Sequence, residues 1–517
     1  MATTFPAPTL VQRAKKTYLR RSTPFATMMA FTAILLLVGV FTAPNNHDES
    51  QYVAGAALVR SGLIYRDFAS LQPPLQTWLY APLAALFPGQ TVLAMRLMTA
   101  LLGLSTAVAT YSAQRLLQVD RRSAALATLA MACCASFLFT GSVVRNDMLP
   151  AALASASMAL LLHAAALGRA RSMMLAGMLL GAATSAKLSY APMLACAAVA
   201  PLLAGKRAGL SQLLCFAAGA SLGLLPMLTA AALAPWAFIY GVFTYAQTAP
   251  FDWYAISGRG HELNPIVKLL QLVLNMAQGP ALLALVLGAS SVLRQHDRLR
   301  PEHVMLAALI LGGWIGAALP TPTQIQYLLP MLPPLFVAFG LIVDRGLLER
   351  RVPRTLLALF AVAGVSPTVI DAAAAIRSAP PVLTIETQAR AIGSLLREAG
   401  VRGTIATVAP ERAIDSGYPI DPRFATGPFL FRNDRLMPAA LVRSLNTVTP
   451  RTLELLFHEA PPAAILVGYE KWRRNGEPPA DAPLETFALR HGFERILLAD
   501  GIGRLYIAPG GPSRKGR

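Results

Sequence analysis

Runs of about 20 mostly apolar residues recur from Pro24 to about Ala374, and the spacing between them leaves little room for anything else. A helix needs roughly that length to cross the hydrocarbon core of a bilayer, where each backbone polar group must be satisfied inside the segment. About eleven spans fit the pattern. With 55% of residues hydrophobic and only 14% charged, the chain has too little polar surface for a set of small soluble domains. The first run, Pro24 to Ala43, follows the basic stretch QRAKKTYLRR, is longer than a signal-peptide core and has no A-x-A site after it. It reads as a retained first span.

A net charge of +19 would suggest nucleic acid as the partner of a soluble protein, but here the charge is sorted by loop. Eighteen basic residues fall in alternate loops: Arg13, Lys15, Lys16, Arg20 and Arg21, then Arg121 and Arg122, Arg169 and Arg171, Lys206 and Arg207, Arg294, Arg298 and Arg300, and Arg345, Arg350, Arg351 and Arg354. The loops between them hold Arg60, Arg66, Arg145 and Arg259. Basic loops stay cytoplasmic, so the amino terminus is expected inside and the second set of loops outside. An odd number of spans, the last from about Leu356 to Ala374, then puts the carboxyl-terminal segment outside as well. The expected location is a bacterial-type inner (plasma) membrane, with that segment periplasmic. All four cysteines, Cys133, Cys134, Cys196 and Cys215, fall in apolar stretches, which suits small buried hydrophobes better than disulfides or a metal cluster.

Three parts follow from this pattern: a basic arm over 1–23, a membrane module over 24–375 and a soluble domain over 380–517. Two outer loops, 44–90 and 235–264, are longer than connectors need to be and mix aromatic and charged residues. The first contains two helix-forming pieces, ESQYVAGAALVRSG and PLQTWLYAPLAALF, too short or too interrupted to span, with Tyr52, Tyr65, Trp78 and Tyr80 suited to the membrane interface. In the third part ETQARAIGSLLREAG reads as a helix ending at Gly400, GTIATVAP and AAILVGYE as buried strands, and FERILLADGIGRLYIA as a hairpin turning at Asp500-Gly501. The expected fold class is therefore an all-α polytopic membrane protein with a small carboxyl-terminal α/β domain.

Polar residues at the outer mouth carry the chemistry. Asp48 and Glu49 stand where the chain leaves the first span, and a carboxylate partly shielded from water there can take a proton from a hydroxyl nucleophile. Asp48 equally suits the N-cap of the following helix. Asp147, next to Arg145 in GSVVRNDMLP, stands at a second mouth, where a cap or a local ion pair is the alternative. Lys187, in GAATSAKLSYAP, lies between two apolar runs, either snorkelling or offering a point charge to a phosphate. Arg60, Arg96, Arg145, and Arg259 with His261 are further candidates for an anion clamp. HELNP lacks the second histidine of a zinc motif, and neither a phosphate-binding Gly-rich loop nor a D-x-D pair is present, so nucleotide binding has no visible site.

The ordered set HDESQYVAGAALVRSGLIYRDF, QPPLQTWLYAPLAALFPGQTVLAMRL, VVRNDMLPAAL, GAATSAKLSYAP and QIQYLLPMLPPL resembles the GT-C membrane glycosyltransferases. The likeness is to the branches of glycosyltransferase family 39 and its relatives that contain the protein O-mannosyltransferases and the lipid A aminoarabinose transferase, and it runs from about Ala43 to Gly340. It implies inverting transfer of a sugar from a polyprenyl-phosphate carrier to a glycan, lipid or protein hydroxyl at the outer face, lipopolysaccharide or another envelope glycan being the expected acceptor. By the same match Asp48 takes the catalytic acidic position of the first outer loop and Asp147 that of the second. Gln72 stands where many members carry a basic residue before the prolines, which shifts phosphate binding toward Arg60, Arg96, Lys187 or Arg259. No cofactor is required by this chemistry, and a divalent metal is left open. A transporter or flippase of a lipid-linked substrate is the alternative, but it would favour repeated halves and charges at mid-membrane.

Overall fold

The computed structural model describes residues 23–203, 209–292, 300–470 and 478–509. Most of the basic arm, with Arg13, Lys15, Lys16, Arg20 and Arg21, lies outside the described residues, as do Lys206, Arg207, Arg294 and Arg298. The described residues open on α1 (Thr23–Thr42), followed by two short helices in the long connection to the next span, α2 (Glu49–Leu58) and α3 (Leu75–Leu86). Next come α4 (Thr91–Leu116), the pair α5 (Arg121–Ala132) and α6 (Ala135–Ser142), α7 (Met148–Leu167), α8 (Ala170–Ala186), α9 (Ala191–Leu203) and α10 (Gly209–Leu233). The second half of the module holds α11 (Tyr245–Ile256), the pair α12 (Pro265–Ala277) and α13 (Ala281–Val292), α14 (Pro301–Ala318), α15 (Leu332–Val343) and α16 (Arg351–Ser378).

Six of these, α1, α4, α7, α10, α14 and α16, are long and apolar enough to cross a membrane. The bent pairs α5–α6 (68°) and α12–α13 (104°) raise the number to eight if each is one span. The apolar stretches Leu188–Leu203 and Leu332–Val343 are shorter. The protein is thus a multi-pass membrane protein, although length and composition alone do not reach the expected eleven spans among the described residues. Exposed Leu214, Leu222, Leu225 and Leu228 on α10 and Leu359, Val362, Val369 and Ile370 on α16 are at home only against lipid.

Inside the bundle, close approach replaces the hydrophobic effect as the source of cohesion, because lipid tails are as apolar as leucine. Gly177 and Gly181 on α8 face Gly219 and Gly223 on α10 so closely that a Cβ at any of the four would collide with backbone of the other helix. This is the small-residue crossing that lets two spanning helices touch along their backbones.

The carboxyl-terminal segment begins with α17 (Pro381–Glu398), which stops at Gly400 in the left-handed conformation (φ 67°). Beyond it four short strands, β1 (Ile405–Ala406), β2 (Ala464–Val467), β3 (Glu494–Leu497) and β4 (Arg504–Ile507), form one sheet in the order β1-β2-β4-β3. The β1–β2 pair is parallel, with Ile405 opposite Ala464, and the other two pairs are antiparallel. The hairpin β3–β4 turns at Asp500, whose carboxylate accepts the amides of Ile502 and Gly503 at 2.9 Å each, and at Gly501 (φ 68°).

One buried ion pair ties the long helices to the loops after α1 and α6. Arg96 on α4 and Glu49 at the start of α2 are both fully buried, and Arg96 Nε and Nη2 donate to the two Glu49 carboxylate oxygens at 2.9 and 2.5 Å. Arg96 Nη1 also donates to the carbonyls of Val40 and Ala43 at 3.1 Å, covering the end of α1. Glu49 completes the set by accepting the amides of Asn46 (3.1 Å) and Val144 (2.8 Å). Removing one member of such a pair strands the other as a buried, uncompensated charge, which costs about 3–5 kcal/mol. Arg96→Met is therefore expected to lose most of its folded, monodisperse protein in detergent, checked by size-exclusion chromatography and thermal unfolding beside the wild type.

Candidate active site

The loop after α1, the loop after α6 and the end of α8 meet at one point, where four charged side chains form a chain. Asp48 is ion-paired with Arg145 Nη1, Arg145 Nε donates to Asp147 at 3.0 Å, and the other Asp147 oxygen pairs with Lys187 Nζ. Arg145, Asp147 and Lys187 are buried, while the Asp48 side chain keeps 17% of its surface exposed. The charge alternates along the chain and sums to zero, which is what allows these groups to sit at the edge of a low-dielectric bundle. Lys187 also lies 5.3 Å from the ring centre of Tyr327.

Amide side chains fix this frame. Asn46 Oδ1 accepts from the Asp48 amide at 3.0 Å and from Arg145 Nη1 at 3.1 Å. Asn146 accepts the Tyr52 hydroxyl proton at 2.8 Å and donates to Gln72 Oε1 at 2.7 Å. Neither Asp48 nor Asp147 makes a side-chain capping bond to its helix, although each stands at an N-cap. Both carboxylates are committed to the ion-pair chain.

The electrostatics of Asp48 follow from its neighbours. Burial pushes its carboxyl up, but Arg145, His47 and Arg432 more than offset that and hold it down at about 2. His47 Nε2 lies 3.3 Å from Asp48, and burial lowers the imidazole below its usual value against the opposing pull of Asp48. The carboxyl-terminal segment packs against the site: the Phe429 ring lies 5.5 Å from His47, and Arg432 packs 4.3 Å from the Trp253 ring and 4.6 Å from Phe429.

Of the residues singled out in the sequence, Asp48, Arg145, Asp147 and Lys187 come together. Glu49 and Arg96 do not belong with them. Both are consumed by the buried pair described above, which leaves neither a free face for a base or a phosphate ligand. Arg60 is exposed, beyond the far end of α2 from Asp48, and a ten-residue helix is about 15 Å long. Arg259 stands at the rim, bonded to Glu262 at 2.6 and 3.0 Å and 4.7 Å from the Tyr254 ring, while His261 is exposed beside it. Sequence reasoning missed Asn46, His47, Asn146 and Arg432. The first three carried a signal, since polar residues directly flank the two aspartates in NNHDES and RND. Arg432 ends the segment FATGPFLFR, in which Phe424 and Phe431 are buried in the core of the carboxyl-terminal segment and Phe429 packs on His47, a placement no local pattern shows.

The fold is that of the GT-C membrane glycosyltransferases. The profile of the family described as dolichyl-phosphate-mannose-protein mannosyltransferase matches residues 71–233. ArnT from Cupriavidus metallidurans, in its structure bound to undecaprenyl phosphate, is similar with a TM-score of 0.57 at 15% identity, over 94% of this chain and 99% of that one. The apo oligosaccharyltransferase of Archaeoglobus fulgidus is similar with a TM-score of 0.51 at 13% identity, over 88% of this chain and 70% of that one. No curated protein matches the chain in sequence.

Arg145 is the main influence holding Asp48 ionised. In Arg145→Gln, burial acts on Asp48 with less opposition, its carboxyl pKa rises, and the charged form is lost at a higher pH. The acid limb of the pH–rate profile is expected to move upward relative to wild type, read from turnover between pH 4 and 8.

Proposed function

We propose that this protein transfers a sugar, with inversion, from a polyprenyl-phosphate carrier to a hydroxyl of a cell-envelope acceptor, lipopolysaccharide or another glycan, at the outer face of a bacterial-type inner membrane. The observation that carries the reading is the ionised Asp48 at the open end of a chain of two cations and a second carboxylate. The profile match and the fold shared with ArnT, whose structure holds undecaprenyl phosphate, support a lipid-phosphate donor.

The chemistry runs through groups already in place. The bond from the sugar carbon to the carrier phosphate breaks, the bonding pair stays with the phosphate oxygen, and the acceptor oxygen bonds to the same carbon from the opposite side. Asp48 takes the proton that the acceptor hydroxyl sheds as that bond forms. A carboxylate held near pKa 2 is a weak base when the site is empty. A carrier phosphate competes for Arg145 and Lys187, loosens their hold on the two carboxylates and makes Asp48 more basic as the donor arrives. The same cations stabilise the charge on the departing phosphate, and Asp147 faces the positive character of the sugar ring.

In this reading the membrane is crossed eleven times: by the six long helices, the two bent pairs, the two shorter apolar stretches and α8. The basic loops hold the amino terminus in the cytoplasm. Asp48→Asn keeps the shape of the side chain but removes the base and the charge that pairs with Arg145. It is expected to abolish sugar transfer, on the order of 10²-fold or more, in a variant that inserts and purifies like wild type. The measurement is mass spectrometry of envelope glycolipids and glycoproteins from cells carrying either form, and undiminished transfer by a well-expressed Asp48→Asn protein would remove the base from this scheme. A flippase would instead move the lipid-linked substrate across proteoliposomes without forming a new glycosidic bond.

A further inference from the structure

The loop that presents Asp48 is held from outside by the carboxyl-terminal segment, at residues on both sides of the aspartate. Asn45 Nδ2 donates to Glu411 Oε1 and Ser50 Oγ to Glu411 Oε2, each at 2.8 Å. Glu411 is 2% exposed, and the nearest cation paired with it is Arg412 Nε at 3.8 Å. Four residues on, Asp415 fastens the same stretch to the membrane module. Its carboxylate accepts the amides of Gly89 and Thr91 at 3.0 Å and the Thr91 hydroxyl at 2.6 Å, at the start of α4. Gly427 presses on the loop from a third direction, where an added Cβ would stand 2.7 Å from Ser50 Cβ.

We propose that Glu411 is a positioning residue for the transfer reaction, clamping residues 45–50 so that the Asp48 carboxylate is held on the line of the acceptor hydroxyl. The proposal rests on the reading of Asp48 as the base. A buried carboxylate is a costly way to fill space, and here it is met by two neutral donors and a distant guanidinium rather than by a close ion pair. What two carboxylate oxygens supply is a pair of acceptors at fixed separation, each taking one donor from either flank of the base. The carboxyl-terminal segment therefore acts on the chemistry without touching the reacting atoms. Misplacing a reacting group by about 1 Å can cost on the order of 10²-fold in rate, so a loosened loop shows in turnover before it shows in binding.

The conservative variant separates geometry from charge. In Glu411→Gln, Oε1 still accepts from Asn45, and Nε2 donates to the Ser50 hydroxyl, which can accept as well as donate. In Glu411→Ala both bonds are lost. The full-length purified protein is compared as wild type, Glu411→Ala, Glu411→Gln and the milder Ser50→Ala, by steady-state sugar transfer and by hydrogen exchange of the peptide covering 44–51. Glu411→Ala is expected to turn over roughly 10- to 100-fold more slowly with an unchanged KM for the donor and faster exchange in 44–51. Glu411→Gln should stay near wild type on both readouts, and Ser50→Ala should fall between. Should Glu411→Ala fail to fold, the Ser50→Ala comparison decides. Wild-type turnover in Glu411→Ala, equal impairment of the Gln and Ala variants, or unaltered exchange in 44–51 overturns the proposal. Absence of transfer by the wild type counts against the proposed function instead, and hydrogen exchange then still judges the clamp.

Discussion

The Glu49–Arg96 pair is the constraint on which the architecture of this end of the bundle depends. A single guanidinium reaches the last carbonyls of α1 and the first residue of α2, and its partner carboxylate takes an amide from the loop before it and another from the loop after α6. Those two loops carry Asp48 and Arg145–Asp147. Bidentate geometry makes this more than a neutralising contact, since a planar fork meeting two carboxylate oxygens permits one relative orientation. Asp48 thus sits directly beside a structural carboxylate in the chain, and the structural one sets its direction.

Charge balance explains why the site lies at the mouth of the bundle rather than within it. Two aspartates and two cations cancel, so the empty site is tolerable in a largely apolar surround. In the proposed reaction the donor phosphodiester brings one more negative charge, and transfer of its sugar leaves a phosphate monoester with nearly two. The added charge has to be met by water or by a further cation. Arg432, stacked between Trp253 and Phe429, acts electrostatically on both His47 and Asp48. The two rings cover the faces of its guanidinium.

What could be read in the sequence divides along physical lines. Apolar runs and acidic residues at span ends are local properties, and they sufficed to single out Asp48, Asp147, Arg145 and Lys187, which the fold brings together. Glu49 was inseparable from Asp48 at that level, because which of two adjacent carboxylates turns inward depends on the helix phase of α2 and on the presence of Arg96 on another helix. Arg96 was misread for the same reason: a cation near the start of an apolar span looks like a ligand for phosphate until its partner is visible. The contacts from Glu411 lie beyond any local pattern, as Asn45 and Glu411 are 366 positions apart in the chain.

Those distant contacts bear on topology as well as chemistry. Asn45 and Ser50 follow α1, Arg145 and Asp147 follow α6, and Lys187 ends α8, so their convergence puts these three chain positions at one end of the bundle. Glu411 and Asp415 bind the same end, and they lie beyond α16. A chain whose α1 starts at the opposite end and whose carboxyl-terminal segment rests on this one has to make an odd number of crossings. The hydrogen bonds reach that parity without reference to loop charge, whereas the positive-inside rule reaches it from Lys and Arg counts alone. The side-chain contacts therefore put the loop that carries Asp48 and the Glu411 that binds it at one end of the bundle.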